Sequence, residues 1–305
     1  MRRGPLNGLT RLGIANGCFF NLGARLARYT KNQTYADWAE KTWDWVVGVG
    51  FMDPDYAIYD GAHVETNCTD INKAQFSYNN GVYLLGAAYM WNHVRTPLGC
   101  TAASSYTNSP QTQDPKWEQR LTKLVDATLA TFFPDNIAYE IACEEHMTCT
   151  TDMLSFKGYI HRWLATATRL APFIRDKVLP ILQTSTNAAV AQCTGGSNGR
   201  TCGFRWSSKT FDGSVGAGQT MNVLGAVSSL LINSVSGPLT NETGGTSPGD
   251  FNAGGRSDDF KRHYAPITVG DKAGASVLTL LVVIGATATF GWMSSAMGEK
   301  LPKID

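Results

Sequence analysis

The sequence predicts an all-α domain built from helical hairpins, and three observations carry that prediction. Apolar residues recur at three- and four-residue steps in seven successive segments. No segment alternates at the two-residue period of a half-buried strand, and caps, prolines or tight turns punctuate the helical ones. At 305 residues the chain could hold two average domains or one large helical array, and one large domain is expected.

The first helix is expected to bury Ala15, Phe19, Leu22, Leu26 and Tyr29, which step by four, three, four and three. After a tight turn, Thr34 and Asp37 form a Thr-x-x-Asp cap for a second helix with Ala36, Ala39, Trp43 and Val46 inward. The third face is Tyr78, Val82, Leu85 and Tyr89. Asp114-Pro115 opens a fourth helix, whose inner residues are Trp117, Leu121, Leu124 and Phe132. The fifth face, Phe156, Ile160, Trp163, Ala167 and Leu170, is unbroken. A shorter sixth helix runs to Cys193 and should kink or restart at Pro180. The seventh, from Gln219 to Val235, has Leu224, Val227 and Leu231 inward. Trp38, Trp43 and Trp45 are read as helix-packing residues.

Lys+Arg of 26 against Asp+Glu of 25 leaves a net charge of +1, which excludes an electrostatic footprint for nucleic acid or for an anionic membrane surface. Seven cysteines together with glycosylation triplets at Asn32, Asn67 and Asn241 point to an oxidising compartment. Cys143 and Cys149 bracket a five-residue loop, and Cys193 and Cys202 bracket a Gly-rich turn, so two local disulfides are expected. Cys18, Cys68 and Cys100 are then left over.

The N-terminal segment has two arginines but no uninterrupted apolar stretch, so it does not read as a signal peptide. From Ala273 to Gly298 there is no charged residue, and that length suffices to cross a bilayer. The segment reads as a retained transmembrane helix or a glycolipid-anchor signal, either of which places the preceding domain outside the membrane. The expected organisation is a helical domain over 1–235, a flexible stalk rich in Gly, Ser and Asp over 236–271, the membrane segment over 272–298 and a polar tail over 299–305. A secreted domain with an exit anchor and no entry signal is expected to be a chain whose beginning is missing.

Chemistry is expected in the long connection from Gly50 to Lys73, because structureless loops of that length in a compact domain are usually functional or disordered. It holds Asp53, Asp55, Tyr56, Tyr59, Asp60, His63, Glu65 and Asp70 and leads into Gln75, Tyr78, Asn79 and Asn80. Carboxylates and amides mixed with stacking tyrosines suit a neutral polar ligand such as a sugar, with a merely solvated loop as the plainer reading. An EF-hand fails at Ala57, where an acceptor side chain is needed. Cys143-Glu-Glu-His146-Met-Thr-Cys149 could ligate zinc, but lacks a second ligand pair at finger spacing. The glycines of 213–220 lack the Lys-Ser/Thr of a P-loop, there is no Gly-x-Ser-x-Gly elbow, and His161 beside Trp163 reads as packed.

Four stretches carry a family resemblance: ANGCFFNLGARLARYTKNQTYADWAEKTWDWVVGVG, YDGAHVETNCTDINKAQFSYNNGVYLLGAAYMWN, YEIACEEHMTCTTDMLSFKGYIHRWLA and QCTGGSNGRTCGFRW. In this order they resemble the fungal members of glycoside hydrolase family 76, the mannan endo-1,6-α-mannosidases of the cell wall, from about Gly13 to Val235. The resemblance implies an (α/α)6 toroid of twelve helices around a glycan groove, here a partial one with about seven, in a monomer at the extracellular face of the plasma membrane or in the wall. It implies a retaining hydrolase or transglycosylase acting on α-1,6-mannan without a cofactor or metal. The family's adjacent aspartate pair lies upstream of Met1, so no catalytic residue is assigned, and this chain alone is expected to be inactive. Asp258-Asp259 matches no part of that motif. By motif position Asp60, Tyr78, Asn79, Phe156 and Lys157 are expected to face the groove, Lys157 alternatively serving as an ion-pair partner that orients its helix. A non-catalytic mannan-binding remnant is the alternative.

Overall fold

The computed structural model describes residues 10–63, 66–93, 115–243 and 268–298. Glu65, Cys100, Asp114, the Asp258-Asp259 pair, most of the expected stalk and the tail over 299–305 lie outside the described residues. The chain divides into two compact units, 1–249 and 250–305.

The first unit contains α1 (Gly13–Thr30), α2 (Gln33–Gly48), α3 (Ser77–Asn92), α4 (Pro115–Phe132), α5 (Phe156–Leu170), α6 (Arg175–Ala191) and α7 (Ala217–Ser229), so it is mostly helical, as expected. Helices α1, α3, α5 and α7 form a row in which each packs on the next, while α2, α4 and α6 pack on α1, α3 and α5. α3 lies at the centre of the row and is buried on almost every side, which its uncharged sequence of small and apolar residues permits. The seam between α5 and α7 is tighter still. A Cβ on Gly225 would lie 2.7 Å from the Gly158 Cα, and one on Gly158 would lie 2.9 Å from the Asn222 Cα, so the two backbones touch.

The faces of α2, α4 and α5 follow the periodicity, with Ala36, Ala39, Trp43 and Val46 buried, then Trp117, Leu121, Leu124 and Phe132, then Phe156, Ile160, Ala167 and Leu170. Those of α1 and α7 are reversed. α1 buries Gly13, Gly17, Phe20, Asn21, Ala24 and Ala27, and leaves Phe19 and Leu22 more than half exposed. α7 buries Gln219, Asn222, Val223, Gly225, Ala226 and Ser229 and exposes Leu224, and Leu231 in the turn that follows it is exposed too. In both helices small residues occupy the face that meets the neighbouring helix, since only they allow the close approach; the bulkier stripe is left outside. Trp38 is also exposed, beneath the Lys41 ammonium.

Other boundaries differ from expectation for identifiable reasons. The cap of α2 is Asn32, whose Oδ1 accepts the Thr34 N–H at 3.0 Å. α6 runs unbroken through Pro180, which sits on its exposed face, and α7 ends at Ser229 in a short 3-10 turn over Leu230–Ser234. The connection after α2 contains structure that a search for strand-length alternation misses. Three short antiparallel strands, β1 (Thr10–Leu12), β2 (Gly61–His63) and β3 (Ile71–Asn72), form one sheet in the order β1-β2-β3. Residues 239–242, expected to begin a flexible stalk, return to the end of α1: the Asn241 N–H donates to Tyr29 O, Arg28 donates to Leu239 O, and Lys31 pairs with Glu242.

In the second unit, α8 (Val269–Gly298) is a single helix, of which Val269–Trp292 is apolar enough and long enough to span a membrane by composition.

Candidate functional site

The starts of α1, α3 and α5 meet at one end of the row. Gly13 donates its N–H to Asp60 O at 2.7 Å, and the Asp60 N–H donates to Asn72 O and Ala74 O at 3.2 and 3.0 Å. The Asp60 main chain is thus fixed between the sheet and α1, at the foot of α3. Across from it the Tyr78 and Phe156 rings stack at 4.0 Å with 24° between planes, and Phe76 meets Phe156 edge-on at 5.8 Å. Burial pushes the Asp60 carboxyl up from its ordinary range, the Asn79 amide acting against that shift, and Asn72 Nδ2 donates to Asp60 Oδ2 at 3.3 Å. Burial, and then the negative charge of Asp60, pushes the Tyr78 hydroxyl up to about 12, so it stays protonated and can donate. Asn79 is fully buried and its Oδ1 has no hydrogen-bond partner. Asp60, Tyr78, Asn79 and Phe156 are therefore brought together, but Asn79 is fully buried and Phe156 only 4% exposed, so, contrary to expectation, these two are packed and only the half-buried Asp60 and Tyr78 present surface.

Lys157 is turned into the protein interior. Its side chain is fully buried, its Nζ donates to Glu144 and to Phe204 O at 2.8 Å, and it lies over the Phe204 and Trp206 rings at 4.2 and 5.0 Å. Burial lowers its pKa, and the Glu144 carboxylate opposes the shift. The ion-pair reading holds for Lys157 and the sugar contact does not, because every polar hydrogen direction is spent inside the protein.

Glu140 is a residue that sequence reasoning missed. It is fully buried and its carboxylate caps α3, accepting the Ser77 N–H at 3.2 Å and the Ser77 hydroxyl. Burial pushes it up to about 7 despite the two Ser77 bonds. The Glu140 N–H in turn donates to Glu144 Oε2 at 2.9 Å. The segment from Glu140 to Glu144 therefore ties the start of α3, which bears Tyr78, to the start of α5, which bears Phe156. The only signal in the sequence is a carboxylate set in the apolar run Ala138–Ile141. His161 is buried between Lys157 O at 2.7 Å and the Ser185 hydroxyl at 2.9 Å, and burial lowers it to about 4, so it is a packed, neutral histidine.

Cys143–Cys149 and Cys193–Cys202 are the two expected disulfides. The first takes both thiols away from zinc ligation. Cys18 is exposed and free, and Cys68 is half-buried and free. Elsewhere in the 50–73 connection, His63 and Asp70 are exposed. Asp53 builds a turn, its Oδ1 accepting the N–H groups of Asp55 and Ala57 at 3.0 and 2.9 Å and its Oδ2 accepting the Tyr59 hydroxyl at 2.8 Å.

A sequence model of glycosyl hydrolase family 76 matches residues 9–242. The chain belongs to this family. Among curated relatives, the mannan endo-1,6-alpha-mannosidase DFG5 of Saccharomyces cerevisiae is 38% identical over 284 residues, covering 92% of this chain and 58% of the relative. DFG5 of Candida albicans is 37% identical, covering 92% and 59%. The crystal structure of Dfg5 from Chaetomium thermophilum, in complex with glucosamine, superposes with a TM-score of 0.69 at 50% identity, covering 80% of this chain and 58% of that one. An α-1,6-mannanase of Salegentibacter, solved with α-1,6-mannotriose as an inactive variant with two adjacent aspartates replaced by asparagine, has a TM-score of 0.56 at 16% identity, covering 73% and 60%. That likeness establishes the fold alone. The chain thus spans just under three fifths of the curated relatives it matches.

Proposed function

We propose that the Asp60–Tyr78–Phe156 site is part of an α-1,6-mannan groove, and that the whole protein is a fungal mannan endo-1,6-α-mannosidase, a retaining hydrolase or transglycosylase of the cell wall. The observation that carries the reading is the stacked Tyr78–Phe156 wall beside a backbone-anchored Asp60 in a family 76 framework. The half-buried Tyr78 ring, held by its stack on the buried Phe156, offers the apolar surface for a pyranose, while Asp60 and the Tyr78 hydroxyl hydrogen-bond its hydroxyls. Retention needs two carboxyl groups about 5 Å apart, one of them protonated, and the residues named here bind sugar rather than form that pair.

The helical row is read as an arc of an (α/α)6 toroid, seven of twelve helices. The bulky apolar stripes left bare on α1 and α7, the two ends of the row, support that reading. α8 is read as the membrane anchor, as a retained helix or a glycolipid signal, which puts the domain at the extracellular face or in the wall. Two disulfides and the exposure of Asn32, Asn67 and Asn241 at their glycosylation triplets support the same compartment.

The 305-residue chain is expected to bind α-1,6-mannotetraose and not maltotetraose in a calorimetric titration. Asp60→Asn and Tyr78→Ala should each weaken binding about tenfold. Equal binding of both sugars, or no effect of either substitution, would refute the groove. A second reading, a mannan-binding piece without catalysis, is favoured by one observation of the sequence: its one Asp-Asp pair, at 258–259, matches no part of the family's catalytic motif. Release of reducing ends from mannan by the 305-residue chain would exclude it.

A further inference from the structure

The connection after α2 has a second side. On the side away from Asp60, Asp53, Pro54 and Tyr56 line a cleft of about 560 Å³ against α2 and α4, bounded by Trp43, Arg120 and Lys123. A hollow of about 360 Å³ shares Pro54, Tyr56 and Lys123 with it and adds Asp55 and Asp126. We infer that this cleft is a second glycan-binding site, separate from the groove at Asp60 and suited to a neutral, hydroxyl-rich chain.

Three features support the inference. Tyr56 is held at φ 64°, in the left-handed region that a bulky residue adopts only under constraint. The constraint is the Asp53 turn: Tyr56 donates its N–H to Asp53 O at 3.0 Å, the Asp53 N–H donates to Ala57 O at 3.1 Å, and the Asp53 carboxylate accepts on both flanks. The result is a half-buried ring presented at the junction of the two hollows.

Secondly, the cations are pre-positioned. The Arg120 guanidinium lies over the Trp43 and Trp117 rings at 4.8 and 4.6 Å and is held by Glu40 at 2.7 Å, while Lys123 Nζ lies 5.6 Å from the Tyr56 ring centre. The planar Arg120 guanidinium, already fixed by stacking and by its ion pair, loses little freedom when it binds a hydroxyl. Thirdly, the charges balance. Of the charged residues lining the two hollows, Arg120 is paired with Glu40 and Asp126 with Lys177, while Lys123 shares the lining with Asp53 and Asp55, so neither sign dominates the cleft. Ring, fixed donors and charge balance together describe a site for a neutral sugar. The choice of α-1,6-mannan as its ligand rests on the function proposed above.

The test is affinity electrophoresis of the 305-residue chain through gels containing soluble unbranched α-1,6-mannan. Tyr56→Asn removes the ring with a residue that tolerates positive φ, and Lys123→Ala changes an exposed position on α4; thermal melts confirm that both fold. Each should raise the apparent dissociation constant about fivefold, and Tyr56→Asn combined with Tyr78→Ala should abolish the retardation that either leaves behind. If Tyr78→Ala removes all retardation and neither Tyr56→Asn nor Lys123→Ala alters it, the cleft is overturned and the mannan groove stands. If the unmodified chain is not retarded, mannan is not the ligand and both sites fall. Retardation lost through Tyr56→Asn and Lys123→Ala but insensitive to Tyr78→Ala would keep the cleft and remove the groove.

Discussion

Glu140 and His161 are both fully buried, and burial moves them in opposite directions, Glu140 up to about 7 and His161 down to about 4. The native state therefore prefers a protonated Glu140, whose contribution is complete below the unfolded carboxyl value and is lost as pH rises through 7. It also prefers a neutral His161, whose contribution is complete above the unfolded imidazole value and is lost as pH falls through 4. Between about pH 4.5 and 6.5 the two slopes oppose each other. Melting temperature measured across that window should rise with pH in Glu140→Gln and fall with pH in His161→Gln, while the unmodified chain stays flatter than either. Parallel profiles for all three proteins would show that these groups do not carry the pH response.

Among the elements, α5 and α7 meet through Gly158 and Gly225 with backbone in contact, so a methyl group has nowhere to go. Gly158→Ala should cost about 1–3 kcal/mol, read as a lowered thermal or denaturant midpoint, and Gly225→Ala a similar amount. A midpoint equal to that of the unmodified chain would mean the seam is looser than described. The same seam explains what could be read from the sequence. Faces that pack through large residues, such as Trp117, Leu121 and Leu124 of α4 or Ile160 and Leu170 of α5, announce themselves by periodicity. Faces that pack through Gly and Ala do not, so on α1 and α7 the bulkier stripe was the more visible and lies outside. The strands of three, three and two residues are too short to alternate detectably. Asp60, Tyr78, Asn79 and Phe156 lie together in space because their motifs sit at the meeting starts of α1, α3 and α5, a proximity that the order of the motifs along the chain does not itself reveal. Lys157 turned inward because Glu144, thirteen residues earlier, offers a buried partner. Glu140 left no trace because a helix cap supplied from 63 residues away has no local pattern.

For the whole molecule, the decisive property is that a helical unit with a net charge near zero is joined to α8, whose Val269–Trp292 stretch is about 36 Å long at 1.5 Å per residue. That length matches a hydrocarbon core of about 30 Å with modest tilt. The 305-residue chain should float with liposomes in a density gradient, and a chain ending at residue 243 should remain at the bottom. Flotation of both would move the membrane contact from α8 to the exposed stripes of Phe19, Leu22, Leu224 and Leu231.

The Asp60 main chain is held by three bonds, one carbonyl bond from Gly13 and two N–H bonds to Asn72 and Ala74, and its side chain adds one long bond, accepted from Asn72 Nδ2 at 3.3 Å. None of the three depends on the identity of the side chain. The position can therefore vary at little cost to the scaffold, and a library of Asn, Ser, Gln and His at residue 60 would sample new sugar preferences, in folded proteins, for the groove proposed here. A backbone-anchored position of this kind lets selection, natural or in the laboratory, change one side chain at a time without rebuilding its surroundings.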